Sequence, residues 1–119
     1  MAYTPNGAEI AESWLRYRSE ASEADKWALF ALQDEVLSNR DSAWEVVALM
    51  LRAATTEWQA TMIGSGPLED LLYLEPEKFL SLLEGFTDKG AWFEHALGCV
   101  RTEDPELQAR LLALRSSGA

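Results

Sequence analysis

The chain has 119 residues, enough for one domain with a substantial core. Its 48% hydrophobic and 25% charged residues are ordinary globular values and exclude disorder as the default state. Twenty acids against ten bases give a net charge of −10, which argues against DNA, RNA and anionic membrane as partners and permits a basic protein.

The N-terminal stretch Met1 to Gly7 is polar and lacks a basic then apolar run, so no signal peptide is expected. No apolar run has the length of a membrane span. The one cysteine, Cys99, cannot form an internal disulfide, which fits a reducing compartment; the cytoplasm is the expected location.

Residues 1–6 read as a polar arm, and a first helix is predicted from Gly7 to Glu20, with Ile10, Trp14 and Tyr17 on one face. Ser22 opens a second helix with Asp25 as a capping-box-like partner, and Trp27 to Leu37 carries it to Ser38. Asp41 is predicted to cap a third helix. Its run from Val46 to Leu51 is nearly apolar, which places it centrally. Thr56 and Gln59 form a capping box for a short fourth helix, Glu57 to Ile63.

The next stretch, Gly64-Ser65-Gly66-Pro67-Leu68-Glu69-Asp70-Leu71-Leu72, is the most specific in the chain. Gly64 and Gly66 can take positive φ, so a left-handed cap is predicted there. Pro67 suits the first position of a fifth helix running to Leu74, and Glu69 and Asp70 suit its positive N-terminal end. Gly64, Gly66 and Pro67 are therefore read as a structural turn. Gly66, placed before a proline, is expected to tolerate valine badly, and Ser65 to tolerate alanine well.

Pro76 starts a sixth helix carrying Phe79, Leu80, Leu82 and Leu83. A seventh is predicted from Lys89 to Arg101. Asp104-Pro105 marks the start of an eighth, which reaches Arg115 before a frayed tail at 116–119. Ala43-Trp44 recurs as Ala91-Trp92 at an offset of 48 residues, a spacing found in two-helix repeats. Trp44 and Trp92 are accordingly expected to be mostly buried and equivalent. The fold class is all-α: seven or eight short helices in a single domain over 1–119, as stacked HEAT-like hairpins or as an irregular bundle.

His95 and Cys99 share a helix face, but with one His and one Cys a packed structural role outweighs a metal site or a Cys–His nucleophile. The Gly64-Ser65-Gly66 loop lacks the lysine of a phosphate-binding loop, and Glu69 and Asp70 would repel a phosphate. No catalytic residue, metal or cofactor is expected. Two acidic clusters remain: Glu69, Asp70, Glu75 and Glu77, and then Glu103, Asp104 and Glu106. The first is the candidate surface for a basic partner.

Asp41-Ser42-Ala43-Trp44 followed by Gly64 through Leu72 resembles a family of small bacterial helical proteins of unknown function. That family has an acid-x-Ala-Trp helix ahead of a Gly-x-Gly-Pro-Leu-Glu-Asp-Leu-Leu segment. The resemblance spans roughly residues 27 to 112, and it implies a helical fold and a bacterial origin. Two functional expectations stand side by side. One is a non-catalytic interaction protein, such as an inhibitor or immunity-type protein binding a basic partner. The other is a small enzyme or ligand-binding domain with its site at the central turn.

Overall fold

The computed structural model describes residues 6–116, so residues 1–5 and 117–119 of the two expected arms lie outside it. Eight α-helices and no strand are present among the described residues, and the fold is all-α. Asn6 is a cap rather than part of an arm: its side chain accepts the Glu9 N–H at 2.9 Å and opens α1, Gly7–Glu20. The helix closes on Ala21, a non-glycine residue at φ 52°, ψ 35°, whose N–H reaches the Tyr17 carbonyl at 2.8 Å. An L-residue is disfavoured in that left-handed conformation. Ala21 is exposed, so Ala21→Gly is expected to stabilise the protein by about 0.5–1 kcal/mol, once the greater freedom of unfolded glycine is subtracted. Urea unfolding of the two proteins checks this; an unchanged or lower midpoint would contradict it.

The predicted start of the second helix is corrected. Ser22 makes no capping bond, and Glu23–Asp25 is a single tight turn ahead of α2, Trp27–Ser38. Asp25 turns inward, 5% exposed, and receives two hydrogen bonds from Arg16, Nε at 2.8 Å and Nη2 at 2.7 Å. A carboxylate nine residues from a fork-shaped guanidinium forms a better bond than a cap can offer.

The third helix, α3, spans Arg40–Ala53 and is capped by Asn39, not by Asp41. The Asn39 side chain accepts the Ser42 N–H at 3.3 Å, while Asp41 reaches out to Lys78 at 2.6 Å. Val46, Val47 and Met50 of α3 are fully buried, and the helix touches α1, α2, α4 and α7. Its central place follows from its apolar run.

The capping box of α4, Glu57–Ile63, forms as read, and it does more than cap. The Gln59 carbonyl accepts the Thr55 N–H at 2.7 Å and the Thr56 N–H at 3.3 Å. The same side chain donates to the Leu15 carbonyl at 3.0 Å, so a buried glutamine ties α4 to α1.

At Gly64–Leu68 the chain does not break into a left-handed cap. It continues as a widened helical turn with one kink at Gly66 (φ −117°, ψ −106°), and no described glycine has positive φ. The fifth helix, α5, therefore begins at Glu69 and runs to Leu74. Proline lacks the N–H that a regular turn would use, so the ladder widens across Pro67 rather than stopping. Helix α6 is Pro76–Glu84, with proline in its first turn as predicted.

The seventh helix is much shorter than its periodicity suggested: α7 is Phe93–Gly98. A Cβ on Gly90 would collide with the Leu51 carbonyl, so Gly90 is where the loop lies against the end of α3. Asp88 before it has φ 54°. These two residues hold the approach to α7 out of a helix. Helix α8, Pro105–Ser116, starts where Asp104 accepts the Glu106 N–H at 3.0 Å. The buried apolar residues from Ile10 to Leu111 form one cluster.

Trp44 and Trp92 are each half-buried and packed on the core. Trp44 lies inside α3, 6.0 Å from the ring centres of both Phe79 and Phe86. Trp92 precedes the first residue of α7 and meets the His95 ring edge-on. Their settings differ, so the expected equivalence of the two does not hold. Helices α1, α2 and α3 pack on one another, α4 crosses to α7, and α8 covers α6 and α7. The arrangement is a helical bundle.

Candidate functional site

Helix α5 is the part of the central segment that faces solvent on two sides. Leu71 and Leu72 are buried and anchor it, while Tyr73 is 85% exposed. On one side lies a groove of about 520 Å³ between α5 and the chain entering α8. Leu72, Pro76, Val100 and Leu107 give it apolar walls, and Tyr73 stands at its edge. Glu69, Glu103, Asp104 and Arg101 also line it.

On the other side two smaller hollows, about 300 and 240 Å³, lie between α2 and α5. They share Gln33, Val36 and Asp70, and Arg18 of α1 lines the far end of the larger one. Gly66 and Pro67 also line that larger hollow, so the kink in the central segment shapes its wall.

Three of the four acids proposed as one surface have internal partners. Glu69 accepts the Arg101 backbone N–H at 2.7 Å. Glu75 pairs with Arg40 at 3.4 Å, and Glu77 with Arg110 at 2.9 Å. Asp70 alone of the four makes no ion pair among the described residues. Partial burial, and then the charge of Glu69, push its carboxyl above the usual range. In the second cluster Asp104 is occupied as the α8 cap, and Glu103 is exposed.

The remaining candidates have structural partners. The His95 ring nitrogen Nε2 lies 2.8 Å from the Thr61 hydroxyl, which joins α7 to α4. Cys99 is half-buried, and no three His, Cys, Asp or Glu side chains gather as a metal site among the described residues. The Ser65 hydroxyl donates to the Thr61 carbonyl at 2.7 Å, so it points along its own helix.

Sequence reading missed Arg18. Its guanidinium carbon lies 5.1 Å from the Trp14 ring centre and 5.8 Å from that of Tyr17. Burial lowers its pKa, and its Nε is buried without an acceptor. The spacing of Trp14 and Arg18, four apart on one helix, was the available signal.

The chain belongs to DUF6869, a family of unknown function whose model matches residues 16–119. Neither a curated protein nor a solved structure matches it. No described helix is long and apolar enough to cross a membrane.

Proposed function

We propose that this member of a family of unknown function is a non-catalytic protein-interaction module of a bacterial cytoplasm. It binds a basic protein, in the manner of an inhibitor or immunity-type protein. The groove beside α5 carries the reading. Its apolar walls end at Glu69, Glu103 and Asp104, with Arg101 the one cation among its lining residues. A partner's lysine or arginine matches that shape: the stem lies along Leu72, Val100 and Leu107, and the cation meets the carboxylates. Tyr73 at the edge is the type of residue that anchors interfaces. The charge of −10 speeds encounter with a positive surface. The bacterial setting rests on the family resemblance of the central segment, and the reducing compartment on the single free Cys99.

The test uses the full chain as bait in a bacterial lysate, beside a Tyr73→Ala, Glu103→Lys double variant. Both positions are exposed, so the variant is expected to fold. A basic protein should be enriched by the natural chain, less so at raised salt, and lost from the variant. Equal capture by both baits would end the reading. The alternative, a ligand site at the central turn, draws support from the hollow beside Gly66 and Pro67.

A further inference from the structure

The two hollows between α2 and α5 adjoin through Gln33, Val36 and Asp70 and make one groove. At one end is a cation without a counter-ion. Arg16, Arg40, Lys78, Arg101 and Arg110 all hold carboxylates. Arg18 holds none among the described residues, and nor do Lys26, Arg52, Lys89 and Arg115; of these five, Arg18 alone has a buried nitrogen without an acceptor. It is stacked on Trp14 and Tyr17 instead. The two rings hold the guanidinium by cation–π attraction and leave it without a counter-ion. Midway along the groove Asp70 is the reverse case, a carboxylate without a cation. Between them the wall is apolar, with Leu29, Leu32 and Val36. Phe30, Leu37 and Tyr73 border it and are 58%, 67% and 85% exposed, a run of apolar surface that a partner would cover.

We propose that this groove binds the free C-terminal segment of a partner polypeptide, with its terminal carboxylate on Arg18, its last apolar side chain against Leu29, Leu32 and Val36, and a basic residue further back at Asp70. The inference rests on the interaction-module reading and names the part of the partner that is held. The charge pattern, one cation and one carboxylate, complements this occupant. A phosphate carries two charges and would meet one arginine and an opposing aspartate. A carboxylate carries one charge, and the upstream base answers Asp70.

The experiment is affinity selection on the full chain from a pool of short random-sequence peptides, made once as free acids and once as C-terminal amides. Free acids with an apolar last residue and a lysine or arginine upstream should be enriched, and their amides should bind at least about tenfold more weakly. Arg18→Met should erase the preference for the acid, and Arg18→Lys should restore part of it. Asp70→Asn should remove only the preference for the upstream base. Circular dichroism melts of each variant separate lost binding from lost fold. Equal binding of acids and amides, no binding of either pool, or a folded Arg18→Met variant with its preference intact would overturn the proposal. So would N-acetyl-leucine binding as tightly as the best peptide, since the site would then be one for small carboxylates. If the peptides fail while the Tyr73- and Glu103-dependent capture succeeds, this inference falls and the interaction reading stands. If both fail, the reading itself falls.

Discussion

Gly64→Val is expected to cost more than about 3 kcal/mol, the upper end of what overpacking does and a large share of a small domain's stability. A Cβ at this position would overlap the Ala96 carbonyl oxygen and lie 2.9 Å from the Cys99 Cβ. Two of those obstacles are backbone or next to it, so no rotamer change relieves them. Gly64 is buried just past the end of α4, where the chain passes α7. The variant must either part those helices or pull α7 from its Thr61–His95 tie. Gly66 is the control. A Cβ there meets nothing within 4 Å beyond its chain neighbours, so no packing clash opposes it. Gly66→Ala should stay within about 0.5 kcal/mol of the natural protein. Packing thus singles out Gly64, where the sequence had singled out Gly66. Urea midpoints for the two variants decide it: a Gly64→Val protein as stable as Gly66→Ala would mean the two helices do not approach this closely.

What the sequence revealed depended on how far each partner lay along the chain. Thr56 and Gln59 are three apart, and Asp104 caps N–H groups two and three residues on, so both caps were legible. The same local logic misled at Asp25, where a capping pattern with Ser22 hid a guanidinium nine residues back. Gly64 looked like a turn because glycine beside Ser-Gly-Pro usually is one. Its actual constraint comes from Ala96, which only the packing of α4 on α7 brings near. The internal partners of the acidic cluster were hidden for this reason as well. Glu69, Glu75 and Glu77 sit together in sequence, and their partners Arg101, Arg40 and Arg110 each lie more than thirty residues away. Periodicity also overstated α7, since it registers apolar spacing and not the loop that Gly90 lays against Leu51.

Replacing Asp25 is the second large effect expected, and its size should depend on pH. The Asp25 carboxyl is 5% exposed and grips Arg16 through both oxygens. Asp25→Asn keeps the shape but loses the charge-assisted pair between the buried carboxylate and the exposed Arg16, so the urea midpoint at neutral pH should fall. The Arg16 hydrogen bonds hold the carboxyl below its ordinary value of 3.8, against a smaller opposing effect of burial. In the folded state Asp25 therefore stays ionised at pH values where the unfolded chain has already taken up a proton. Between those two pKa values the unfolded state binds more protons, so stability falls as pH falls. The contribution is complete above about pH 5 and is lost progressively below that ordinary, unfolded value. Asp25→Asn lacks this loss, so the gap between the two proteins should be constant from pH 7 to about pH 5 and close as acid is added. General relief of the −10 charge at low pH acts on both proteins and cancels in the difference. Urea unfolding of the pair at several pH values reads the gap directly. A gap that stays constant to pH 3 would mean that Arg16 does not lower the Asp25 pKa, and that the pair positions the turn before α2 without adding pH-dependent stability.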